Sequence, residues 1–147
     1  MANAPDPLKL DAMLCFAVYA AEHAFTRFYK PRLDALGLTY PQYLVFLVLW
    51  EGDGLTVKAL GDKLFLDSGT TTPMIKRLEA RGLLSRARDE KDERQVRVTL
   101  TEAGRALREQ ALSVPLAVGT ALGGNPSDGD ALRESLHLLR ERLDASA

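Results

Sequence analysis

The chain has 147 residues, 46% hydrophobic and 27% charged, with a formal net charge of −1. That length suits one domain with a real core, and no apolar run reaches the ~20 residues that a membrane span needs. One cysteine cannot make an internal disulfide, and the opening MANAPDPLKLD has no basic segment leading into an apolar one, so the cytoplasm is the expected compartment.

Residues 8–36 carry a long helical pattern rich in Leu, Ala, Phe and Val, with Pro31 expected to start a short new turn after a bend. Leu14, Val18, Ala21, Phe25 and Phe28 form one stripe, and Phe16, Ala17, Ala20 and Ala24 leave little polar face. A helix apolar nearly all round must be covered on most sides, and a second copy of the chain is the natural cover. Thr39, followed three residues later by Gln42, is a capping-box start for the core helix YLVFLVLWE.

The stretch from Thr56 to Thr101 reads as one docking unit. In TVKALGDKLF the apolar Val57, Leu60, Leu64 and Phe65 recur at helical spacing. The connection LDSGT leads into a second helix, TTPMIKRLEARG, which Gly82 stops as a left-handed cap. A two-stranded ribbon follows, LLSRAR and RQVRVTL, joined by the charged turn DEKDE. Thr101 opens another helix running towards Leu122, GGNPSDGD is a loop, and ALRESLHLLRERLDA is a final amphipathic helix. The predicted class is therefore mostly α with a small β-hairpin wing. A winged helix-turn-helix at 37–100 is flanked by helical dimerisation regions at 8–36 and 101–147, all in a single domain.

Charge supports a DNA partner by its distribution. Residues 56–100 hold ten Lys/Arg and seven Asp/Glu, leaving nine and thirteen elsewhere. In the second helix Thr71, Met74, Ile75 and Leu78 should pack inward, leaving Thr70, Pro73, Lys76 and Arg77 outward, where hydroxyls and cations suit phosphates and guanine edges. Arg86 and Arg88 share one face of the first wing strand by alternation. Asp92 and Arg94 stand two apart at the turn's exit, so the carboxylate can brace the guanidinium for a narrow minor groove. The bland reading, a solvated helix beside a solvated charged turn, weakens when both occur in this order.

Cys15, as a lone cysteine on an apolar helix, reads first as an inert packing residue. Against that, it lies near a helix start, whose positive end favours a thiolate. Tyr19 follows one turn later on the same face, and tyrosine hydroxyls can donate to a thiolate. The other tyrosines are 29, 40 and 43. Cys15, His23 and His137 show no metal-ligand spacing, so no metal and no cofactor is expected.

LCFAVYAA, FYKPRLDALGLTYPQYLVFLVLWE, LTVKALGDKLFLDSGTTTPMIKRLEARGLLSR and DEKDERQVRVTLTEAG together cover most of the chain. Through them it resembles the MarR family of dimeric winged-helix repressors, and within it the OhrR-type organic hydroperoxide sensors. The resemblance implies that Cys15 is the peroxide-reactive thiol, oxidised first to a sulfenic acid. It implies that Tyr29 and Tyr40 hydrogen-bond the thiolate from the partner subunit, with Tyr19 close by. Ser68, Gly69, Thr70, Pro73, Lys76 and Arg77 fall where the family reads the major groove, and Asp92 and Arg94 match its wing-tip pair. Some relatives resolve the sulfenic acid with a second cysteine. This chain has none, so it resembles the one-cysteine class, in which a small-molecule thiol or over-oxidation completes the switch.

The resulting expectation is a homodimeric repressor, not an enzyme, that holds double-stranded operator DNA and releases it to organic hydroperoxide. Two alternatives stay open. One is a MarR-type repressor released by a phenolic or carboxylate ligand, with Cys15 inert. The other is a thiol peroxidase, which would need a βαβ pattern and a resolving cysteine that the chain lacks.

Overall fold

Regular structure in the computed structural model, which describes residues 4–147, begins with a 3-10 turn, Leu10–Ala12, followed by α1, Leu14–Asp34. The helix starts later than the apolar pattern suggested, and it does not break at Pro31. Proline forfeits only the N–H bond to the Arg27 carbonyl, a loss the helix tolerates this close to its end. The end is set instead by Gly37 at φ 68, with the Leu38 N–H donating to the Leu33 carbonyl at 3.0 Å and the Gly37 N–H to Asp34 at 3.0 Å. That is a Schellman closure, and its two leucines, Leu33 and Leu38, are buried.

Thr39 then caps α2, Tyr40–Glu51, in the expected box. Its hydroxyl accepts from the Gln42 N–H at 3.4 Å, and Gln42 Oε1 accepts from the Thr39 N–H at 3.0 Å. Val45, Phe46 and Leu49 of α2 join Leu60, Ile75, Leu78, Leu84 and Val98 in the core. Strand β1, Leu55–Thr56, leads directly into α3, Val57–Leu64, which Thr56 caps through the Ala59 N–H.

Phe65 departs from its expected place. It ends α3 in the left-handed region at φ 56 with 70% of its surface exposed, so it belongs to the turn rather than to the inward stripe. The turn brings α3 and α4 close together: a Cβ on Gly61 would stand 2.8 Å from the Leu66 carbonyl oxygen and 3.1 Å from Thr71 Oγ1. Helix α4, Ser68–Ala80, starts before the TTP segment because Asp67 caps it, accepting from the Thr70 N–H at 2.9 Å. Gly82 ends it at φ 75, with the Leu83 N–H reaching the Leu78 carbonyl at 3.1 Å.

The wing strands are β2, Leu84–Arg88, and β3, Val96–Leu100, paired antiparallel from Leu84↔Leu100 to Arg88↔Val96. β1 adds to the other edge of β3, giving the order β1-β3-β2, a third strand too short to show as periodicity. Asp53 ties the preceding loop to the wing base by accepting from the Leu100 N–H at 2.9 Å.

The helix expected from Thr101 to Leu122 is two helices, α5, Glu102–Ala111, and α6, Ser113–Ala121. Pro115 explains the break, since its ring excludes a regular bond to the Ala111 carbonyl. Helix α7, Pro126–Ser146, starts inside the segment expected as loop, because Asn125 caps it at the Ser127 N–H and Pro126 occupies its first position. The chain divides into two units, Met1–Gln110 and Ala111–Ala147, the first holding the winged helix and the second α6 and α7. Among the described residues no helix is long and apolar enough to cross a membrane.

Candidate functional site

Helix α4 presents two chemically distinct faces. Thr71, Met74, Ile75 and Leu78 are buried, and Ser68, Gly69, Thr70, Pro73, Lys76 and Arg77 are exposed. The Thr71 hydroxyl is held inward by donating to the Asp67 carbonyl at 2.8 Å. Pro73, one turn into the helix, lacks the N–H that would reach the Gly69 carbonyl. The exposed face therefore offers hydroxyls at the helix start and two cations further along.

The wing tip is prearranged. Arg94 Nε donates to Asp92 Oδ1 at 3.0 Å, and the Arg94 N–H donates to the same oxygen at 3.1 Å. The Arg94 side chain is otherwise 91% exposed. These bonds from Arg94, side chain first and backbone second, hold the Asp92 carboxyl below its ordinary pKa, so the pair persists throughout neutral pH. Arg88 is exposed and donates to the Glu93 carbonyl at 3.1 Å.

Arg86 does not stand beside Arg88 as an open cation. Its Nε and Nη2 both reach Glu79 Oε1, at 3.2 and 3.1 Å, and its N–H reaches Oε2 at 3.0 Å. Arg86 therefore joins the wing to α4, and its side-chain bonds pull the Glu79 pKa down. Arg86 was expected beside Arg88 as a second strand arginine towards DNA; in the single chain its Nε and Nη2 are turned onto Glu79. A glutamate on α4 and an arginine on β2, seven residues apart across a Schellman turn, carry no local signal of this pairing.

Cys15 is the second residue of α1 and is exposed in the single chain, so it is not part of the chain's own core. Tyr19 follows on the same face, with its ring 4.1 Å from that of His23 and 6.2 Å from that of Phe16. Tyr29 lies fourteen residues along the same helix, which is about 21 Å at 1.5 Å per residue. The far end of α1 and the start of α2 carry a tyrosine cluster. Tyr29 lies 4.9 Å from Tyr40 and 6.0 Å from Tyr43, ring centre to ring centre.

Tyr43 joins this cluster although the sequence alone did not place it there; its spacing from Tyr40, about one helical turn, was the available signal. Burial, then Tyr40 and Tyr43, push the Tyr29 pKa up to about 12. Burial and the Glu22 carboxylate raise Tyr40, and burial and Tyr40 raise Tyr43. All three phenols are therefore protonated donors at neutral pH. The sign follows: a raised pKa favours the neutral form, so this contribution to stability is complete below pH 10.0 and is lost as pH climbs towards 12. An ultraviolet titration should show a late tyrosine component near pH 12 that Tyr29→Phe removes. A cluster titrating at ordinary pH would contradict this packing. Among the described residues no group of His, Cys, Asp and Glu is placed to hold a metal.

A helix-turn-helix with an exposed polar second helix and a braced arginine at a wing tip defines a winged-helix DNA-binding protein. The family model of the transcriptional regulator SarA/Rot matches residues 27–110. The chain is 54% identical to the HTH-type transcriptional regulator TtmR of Methylorubrum extorquens, over 97% of this chain and 73% of that one. It is 49% identical to the organic hydroperoxide resistance transcriptional regulator of Bacillus subtilis, over 97% of each. Among solved structures, reduced AbfR bound to DNA matches with a TM-score of 0.76 and 36% identity, covering 88% of this chain and 91% of that one. The chain belongs to the MarR-type winged-helix transcriptional regulators, in the group that includes the SarA/Rot proteins and the organic hydroperoxide regulators.

Proposed function

We propose that this protein is a homodimeric repressor that releases operator DNA when organic hydroperoxide oxidises Cys15. The observation that carries this reading is the separation within α1. Cys15 and Tyr29 of the Tyr29–Tyr40–Tyr43 cluster lie far apart along one helix, so a single chain does not bring the thiol to that cluster. A second copy running antiparallel along α1 brings each Cys15 to the other chain's cluster. The same copy covers Leu14, Phe16, Val18 and Phe25, which a lone chain leaves exposed.

The chemistry balances with the groups at hand. The thiolate sulfur attacks the outer oxygen of the hydroperoxide, the O–O bond breaks, and the alkoxide leaves as alcohol after taking a proton, leaving Cys15 as sulfenic acid. A small-molecule thiol then displaces water to form a mixed disulfide, since the chain has no second cysteine. This mixed disulfide, or alternatively over-oxidation of the sulfenic acid, adds polar bulk among the tyrosines and changes the separation of the two α4 helices, which must stay about 34 Å apart to enter successive major grooves.

In this reading Ser68, Gly69, Thr70, Pro73, Lys76 and Arg77 face the major groove, and Arg94 enters the minor groove braced by Asp92. The wing then contributes by insertion, with Arg86 serving to hold it against α4. Arg94→Ala is expected to weaken operator binding by about 1–3 kcal/mol without changing the melting temperature. Unchanged affinity in a titration at fixed salt would remove the wing from the groove. The test of the whole reading is a gel shift on DNA flanking the protein's own gene. Binding is expected in reductant and release after cumene hydroperoxide, and a complex indifferent to hydroperoxide would refute it.

A further inference from the structure

We propose that Arg81 is a strut through which the tyrosine cluster controls the recognition helix, a reading that rests on the redox function above. Arg81 is the last residue before the Gly82 closure of α4, and its Nη1 donates to the carbonyl of Gly37, 44 residues away. Gly37 closes α1 in the same manner, between Tyr29 on that helix and Tyr40 at the start of α2. Two helix ends of the same construction are thus tied to each other, one carrying the phenols and one ending the DNA-facing helix.

The corner around Gly37 is stiff. Leu33 and Leu38 anchor it in the core, and the Thr39–Gln42 box fixes where α2 begins. A shift of Tyr29 or Tyr40 therefore moves the Gly37 carbonyl as part of one body, since a packed corner does not deform continuously. The guanidinium lies across the bare face of Gly37, where a Cβ would stand 2.7 Å from Arg81 Nη2. Arg81 itself is exposed, so its role is in this contact and not in the core. At the same end of α4, Glu79 holds Arg86 of the wing. Helix and wing consequently move together when the strut pulls. Packing also connects α2 to α4 through α3, so the strut carries a share of the coupling and not all of it.

The test uses the full-length protein, Arg81→Gln and Gly37→Asn. Asparagine tolerates the left-handed backbone, and its Cβ displaces the guanidinium. Operator Kd is measured for the reduced protein and after cumene hydroperoxide, with Cys15 oxidation followed by mass spectrometry. The ratio of oxidised to reduced Kd is expected to fall by about 2- to 30-fold in both variants, while the rate of Cys15 oxidation stays at the wild-type value. A ratio equal to wild type overturns the strut even if both affinities drop, as they would were Arg81 a phosphate contact. A wild type that hydroperoxide does not release would instead defeat the redox reading, and the strut with it.

Discussion

Cys15→Ser is expected to bind the operator with wild-type affinity and to stay bound after organic hydroperoxide is added. Serine preserves the approximate size of the side chain, and Cys15 belongs to α1 and not to α4 or the wing, so the DNA-facing residues are unchanged. The hydroxyl has no sulfur lone pair to attack an O–O bond at neutral pH, so the first step of the switch is missing. The effect is all-or-none in release and nil in affinity, a combination that damage to the fold would not give. If the serine protein is still released by hydroperoxide, sensing does not pass through this thiol. The ligand-responsive form of repressor, in which a small phenolic or carboxylate molecule enters the same family of folds, then takes its place. Sustained hydroperoxide consumption by the wild type with excess thiol would point instead to turnover as a peroxidase.

The elements on which this experiment depends were legible to different degrees. The helix-turn-helix stood out because its signals are local: apolar spacing in α3 and α4, a Thr and a Gln three apart for α2, a glycine after α4. The Asp92–Arg94 pair was legible for the same reason, as two residues on one side of one turn. Helix boundaries were less so. Pro31 reads as a break, yet the helix continues because only one bond is lost near its end, whereas Pro115 reads as nothing and does interrupt the pattern. The contacts that organise the site were invisible. Arg86 on Glu79 and Arg81 on Gly37 join elements that periodicity treats one at a time, and an arginine's destination depends on where a distant chain segment folds. The clustering of Tyr29, Tyr40 and Tyr43 likewise needs the α1–α2 corner to be closed before the rings can meet.

The second large effect is expected at the far end of the chain, where Leu136→Glu should yield a monomer with operator affinity reduced by about 100-fold or more. Helix α7 carries Leu132, Leu136, Leu139 and Leu143 at helical spacing, and Leu132, Leu136 and Leu143 are 60%, 43% and 62% exposed in the single chain. Covering a leucine is worth about 1.5–3 kcal/mol, and in a two-fold interface each substitution is felt twice. A glutamate in that stripe adds the cost of burying an unpaired carboxylate. The affinity loss follows from geometry, since a dimer binds its second half-site as an intramolecular event and a monomer cannot. The helix itself should survive, because glutamate is a good helix former at an exposed position. Sedimentation alongside a binding titration checks both halves: a dimer with full operator affinity would show that the α7 stripe is not part of the interface.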